Sequence, residues 1–158
     1  MADRALLSAF GAFVGYTGVM TVLERRMRAT GGPGIIPFEL VGSGFRAEQI
    51  MNQWGEDGQR AARASMWLDF GYMTTYGALL ALLIERARQR RGHSRGLTAA
   101  AGVAVAGDAI EGVSLIRVLN RDRVDANARR ARNAALVKFA ALAGGLGYVV
   151  AEAVSAAR

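Results

Sequence analysis

A chain of 158 residues is the size of one domain, and its 52% hydrophobic content lies slightly above the range usual for soluble proteins. With no cysteine and a single histidine, the chain offers nothing for thiol chemistry, disulfides, iron–sulfur ligation or a histidine-rich zinc or haem site. Its net charge of +7 comes from basic runs between apolar segments, with no zinc-finger spacing and no aromatic-studded basic strand; the implied partner is the anionic head group of membrane lipids, and no nucleic acid is expected.

The first apolar run, ALLSAFGAFVGYTGVMTVL, carries no charge over 19 residues, long enough to cross a hydrocarbon core of about 30 Å. It predicts a first span at about residues 5–24. A secretory signal is also N-terminal and apolar, but this run is too long for a typical signal core and passes into ERRMR without an A-x-A-like cleavage site, so it is expected to remain as a helix. Within it Gly11 and Gly15 form a GxxxG pair, the kind of spacing that lets helix backbones approach, inside one bundle or at a dimer seam.

A connection of about 40 residues follows, with a cap expected at 30–62. Gly31, Gly32, Pro33, Gly34 and Pro37 forbid a helix at its start, and one or two helical turns are predicted around Phe45, Ile50, Met51 and Trp54. A loop of this length is functional or disordered. Its aromatic content favours a folded interfacial cap over the bundle mouth, with Trp54 and Phe45 as interfacial anchors or ligand contacts. Glu39, in PFEL, either closes over a site below or caps the short helix that follows.

The second span is expected at about 64–86, the third at 97–119 and the fourth at 133–156. The Ala-rich third and fourth segments would also suit a soluble four-helix bundle, but two 19-residue runs with at most one charge are hard to keep soluble in so short a chain. The expected fold is therefore all-α: a single integral membrane domain, a four-helix transmembrane bundle with a long loop and short interfacial helix between the first two spans, multi-pass in the cell membrane. Basic residues occur on both sides and leave the orientation open. His93, flanked by arginines, reads as solvated, and Asp122 and Asp125 as paired with neighbouring arginines.

The up-down topology places polar residues from all four spans at similar depth. Asp69 lies a turn inside the second span, Lys138 a turn inside the fourth on the same side, with Asp108 near the midplane of the third and Glu111 a turn closer to that side. Glu24 ends the first span on the same side. Rotation agrees with depth: Asp108 and Glu111 are i, i+3 on one face, Asp69, Tyr72 and Tyr76 form a stripe, and so do Tyr16, Met20 and Glu24. Lys138, Gly145, Tyr148 and Glu152 can share the inner face of the fourth span. An acidic residue at the centre of a span costs about 2.5–3.5 kcal/mol, so such residues turn inward, find partners and mark functional sites.

The segment IPFELVGSGFRAEQIMNQWGEDGQRAARASMWLDFGYMTTYG, with Asp108, Glu111 and the later KFAALAGGLGY, resembles a group of uncharacterised small bacterial membrane proteins with four predicted spans, over roughly residues 36–148. Where that group has Asn after the acid in the third span, this chain has Gly112. The resemblance implies the four spans and carries no activity.

Three roles fit the polar residues. In one, Asp69, Asp108 and Glu111 perform acid–base catalysis on a lipophilic small molecule, as an isomerase, cyclase or epoxide-opening hydrolase would, with Tyr16, Glu24, Trp54, Tyr72, Tyr76, Lys138 and Tyr148 binding the substrate. No cofactor and no metal is expected: a carboxylate-bound metal would lack histidine ligands, and no DDxxD run supports magnesium–pyrophosphate chemistry. In the second, the acids hold a cation, a proton or an amine-bearing hydrophobic ligand for binding or transport; in the third, they form a structural clamp around Lys138 in an accessory subunit. A homodimer is a further way to bury the polar faces of four short spans.

Overall fold

The computed structural model describes residues 2–157. The chain forms α1 (Ala2–Ala29), α2 (Ile35–Glu39), α3 (Gly44–Arg91), α4 (Ala99–Leu119) and α5 (Val124–Ala156), with a 3-10 turn at Arg95–Thr98 leading into α4; no strand occurs among the described residues. Four of these helices, α1, α3, α4 and α5, are long and apolar enough to cross a membrane.

The connection between the first two spans differs from the expected loop. Its Gly-Pro segment holds only the five residues of α2, and helix resumes at Gly44, where Ser43 is the N-cap. From there α3 runs to Arg91, interrupted at Gly55, whose φ of 58° and ψ of −164° belong to a region essentially restricted to glycine. The cap is thus α2 plus a helical arm, 44–54, that bends into the span proper. Met51 and Trp54 are buried on the inner face of this arm, whereas Phe45 is 74% exposed.

The last span also begins earlier than its apolar pattern predicts. α4 and α5 are joined by the tight turn 120–123, in which Arg121 and Arg123 adopt positive φ. The Asn127 side chain donates to the Asp122 carbonyl at 2.8 Å and closes the turn. The basic residues that follow are the exposed surface of a helix, and Asp125 pairs there with Arg129 as expected. Asp125 also accepts from the Gly44 amide at 2.9 Å, tying the start of α3 to the start of α5.

At the end of the bundle where α3 and α5 begin, Met27, Phe38, Met51, Trp54, Met66 and Leu115 form the main apolar core. Burying side chains such as Phe38, Met27 and Met51 contributes about 1.5–3 kcal/mol each. Trp54 pins the Gly-Pro segment: its Nε1 donates to the Pro33 carbonyl at 2.6 Å, and its ring lies 4.9 Å from that of Phe38. Elsewhere large apolar side chains such as Leu7, Phe10, Trp67 and Val150 face outward, as suits a surface solvated by lipid.

α3 is the central element, with α1 packed on one side and the α4–α5 pair on the other. Close approach of α4 and α5 occurs at Gly107, where a Cβ would come 3.1 Å from the Ala134 carbonyl oxygen. The GxxxG glycines behave otherwise: among the described residues nothing from another part of the fold lies within 4 Å of a Cβ placed at Gly11 or Gly15, so no described neighbour packs closely on them.

Candidate functional site

On α3, Ser65, Asp69, Tyr72 and Tyr76 recur at intervals of three and four residues, which puts them on one helix face. That face looks into a cavity of about 700 Å³ walled by α1 and α5, capped by α2 and reached from α4 by Asp108. Phe13, Thr17, Met20 and Glu24 line it from α1, and Lys138 and Phe139 from α5.

Lys138 is the centre of the charged end. Its Nζ lies 2.7 Å from Glu111 Oε2, 3.0 Å from Asp108 Oδ1 and 3.6 Å from Glu39 Oε2, and all four residues are buried. The contact to Asp108 is a hydrogen bond, whereas Glu111 Oε2, though within ion-pair distance, has no partner at hydrogen-bonding geometry among the described residues. Asp108 Oδ2 accepts from the Tyr76 hydroxyl at 2.6 Å. Asp108 is thereby held from two sides, by an ammonium and by a phenol. The i, i+3 spacing that puts Glu111 on the same α4 face also puts it behind Lys138, outside the cavity lining.

Asp69 is placed differently. It is half-buried on the cavity wall and adjoins Asp108. No ion pair reaches it among the described residues.

The aromatic residues fill the space between α1 and α3. The Tyr72 ring stacks on Phe13 at 5.7 Å and meets Tyr76 edge-on at 5.7 Å, and its hydroxyl accepts from Thr17 Oγ1 at 3.2 Å. Tyr16, 6.5 Å from Tyr72, packs its hydroxyl over Gly71, a position where any side chain would collide with it.

Glu24 and Glu39 act at opposite ends of α2. Glu24 accepts from the Ile35 amide at 2.8 Å and from Arg28 Nε at 2.7 Å, which anchors the start of α2 at the cavity rim. Glu39, the last residue of α2, lowers its carboxyl onto the Lys138 cluster. Burial pushes this carboxyl above its ordinary value, and the Lys138 charge opposes that shift in part.

Of the residues singled out in the sequence, Asp69, Tyr72, Tyr76, Asp108 and Lys138 meet in the cavity, with Glu24 at its rim, Glu111 behind Lys138 and Tyr16 beside the Tyr72 ring. Trp54 and Tyr148 are not brought there. Trp54 is core, and Tyr148 lies at the other end of the bundle, its hydroxyl 3.0 Å from His93 Nδ1 and its ring 5.9 Å from the Arg91 guanidinium. Glu152 is also remote, 3.4 Å from Arg90. Thr17 and Ser65, which carry no charge to attract attention in a sequence, do line the cavity. Only the three- and four-residue spacing to Asp69 and Tyr72 could have pointed to Ser65.

Three carboxyls, Glu39, Asp108 and Glu111, therefore surround one ammonium, and a fourth, Asp69, adjoins them on a largely apolar cavity wall. In a medium of low dielectric that excess is met by protons or by an incoming cation. Lys138 occupies the point where the carboxylates converge, and among the described residues no group of three or more His, Cys, Asp or Glu is placed to hold a metal ion. No family model, curated protein or solved structure matches the chain.

Proposed function

We propose that the chain is an integral membrane enzyme, multi-pass in the cell membrane, that performs carboxylate acid–base chemistry on a lipophilic small molecule bound between its spans. The reaction class is isomerisation, cyclisation or epoxide opening. The likeness to small bacterial four-span membrane proteins and the contact of the arginine-rich segments with lipid head groups belong to the same proposal.

One observation carries it: two adjacent carboxyls sit in unlike surroundings, Asp108 held by Tyr76 and Lys138, Asp69 on the cavity wall with Asp108 as its hydrogen-bonding neighbour and no ion pair among the described residues. Paired carboxyls in different environments are the arrangement from which acid and base roles are drawn. Asp69 exchanges the proton with the substrate. Asp108 supplies the fixed negative charge that steadies positive charge developing on the substrate, and Tyr76 and Lys138 hold Asp108 in place. Glu111 positions Lys138 from behind and does not touch the substrate.

The test is turnover by proteoliposomes of a panel of lipophilic epoxides and polyenes, with deuterium uptake from D₂O as the readout. The wild-type protein is expected to turn over at least one class, and Asp69→Asn to abolish turnover with its melting temperature unchanged. Turnover undiminished in Asp69→Asn sinks the reading. The excess of carboxyls over ammonium favours a second reading, in which the cavity holds a cationic amphiphile without converting it. Saturable binding of an alkylamine, lost in Asp69→Asn and unaccompanied by any turnover, selects that reading instead.

A further inference from the structure

The cavity is graded along its length. On α3 the lining passes from Asp69, Tyr72 and Tyr76 to Leu79, Leu80 and Leu83, and on α5 from Lys138 to Leu142 and Leu146. The two helices run in the same direction: Gly44 meets Asp125 at their starts, and Arg91 meets Ser155 at their ends, 2.9 Å apart. Their polar ends therefore coincide, and so do their apolar ends. From Asp69 to Leu83 the wall is fourteen residues long, about 21 Å at the α-helical rise. Half of a hydrocarbon core is shorter, about 15 Å.

The side wall is incomplete. α1 packs on α3 but makes no substantial contact with α5. Among the described residues its contribution to the lining spans only Phe13 to Glu24, so the leucine end of the groove is flanked by α3 and α5 alone. Leu146 there is 48% exposed. In a membrane that gap opens onto acyl chains, not onto water.

We infer that the cavity admits a single-chain lipid sideways from the bilayer, between α1 and α5, with a hydrogen-bond-donating head free of negative charge at Asp69 and its chain laid along the leucine wall. This rests on the proposed function and names its substrate class. The charge pattern selects the head. Lys138 is already engaged by Glu39, Asp108 and Glu111, so an anionic head would enter a carboxyl-rich pocket whose lining offers no second cation among the described residues. The length of the leucine wall selects the chain.

The full chain in nanodiscs can be tested with homologous n-alkanols, n-alkylamines and n-alkanoic acids, read by displacement of a fluorescent alkylamine. Affinity of the alcohols and amines is expected to rise with chain length to a plateau, with the acids at least ~10-fold weaker through like-charge repulsion. Leu83→Trp, at the far end of the wall, should bring the plateau forward by several carbons. Leu146→Trp, at an exposed site on the facing wall, should do the same and serves if the first variant does not fold. Acids binding as tightly as alcohols, or a plateau unmoved in folded variants, overturns the inference. Chain-length-dependent binding without turnover overturns the acid–base reading and leaves this one standing. Turnover indifferent to chain length does the reverse.

Discussion

Asp69 and Lys138 line the same cavity, yet among the described residues Lys138 pairs with Glu39, Asp108 and Glu111 and not with Asp69. One ammonium is already shared three ways, and the fourth carboxyl lies on the cavity wall beside Asp108. This separation divides the acidic cluster into three carboxyls that join helices through one ammonium and a fourth that lies on the cavity wall.

Removing the shared ammonium exposes the first part. Lys138→Met leaves Asp108 and Glu111 buried without a cation and is expected to cost about 3–5 kcal/mol, the range for breaking a buried ion pair. Unfolding of the detergent-solubilised protein measures this directly. A loss under about 1 kcal/mol would mean that the carboxyls need no cation.

Tyr76→Phe deletes the hydrogen bond to Asp108 and little else. Bonds to charged groups contribute about 1.5–3 kcal/mol, and the half-buried position of Tyr76 argues for the lower end. The same variant should slow any proton transfer at Asp69, because Asp108 loses one of its two restraints. Stability and the pH profile of turnover are the two measurements, and no change in either removes Tyr76 from the site.

Glu39 makes stability depend on pH. Its carboxyl is held above its ordinary value of 4.5 by burial, so the folded state binds this proton more tightly than the unfolded chain does. The contribution is complete below that ordinary value and is lost as pH rises through the higher folded value. Melting temperature measured upward from pH 4.5 should fall less steeply in Glu39→Gln than in the wild-type protein. Parallel curves would place Glu39 outside the cluster.

Two glycines should respond in opposite ways. Gly55→Ala forces an L-residue into a backbone region meant for glycine and is expected to destabilise the bend of α3 by about 1–3 kcal/mol. Gly11→Ala meets nothing within 4 Å among the described residues and should raise helix stability by about 0.5–1 kcal/mol. If Gly11 and Gly15 instead form the seam of a homodimer, Gly11→Ala lowers the dimer fraction seen by crosslinking in liposomes, a readout separate from monomer stability.

How far the sequence determined this protein differs from element to element. The apolar runs, read by length and charge alone, identified all four long helices, because a bilayer-spanning helix must satisfy its backbone internally and clothe it in apolar side chains. The spacing of Asp69, Tyr72 and Tyr76, and of Asp108 and Glu111, marked the faces that turn inward, because burial of a carboxyl in such a helix demands partners. The sequence could not show where helices continue past their apolar windows: the arm before Gly55 and the first turns of α5 are polar, and polar helix surface reads like loop until something packs beneath it. Nor could it show that Tyr148 faces His93, or that Glu39 reaches Lys138 from a five-residue helix, since helical periodicity repeats along the whole span and does not say which turn meets which neighbour. Only the tertiary structure decided that three carboxylates share Lys138 while Asp69 is left to the cavity. That allotment depends on the few ångströms by which α2, α4 and α5 converge on one ammonium, a distance set by packing and not by any residue's identity.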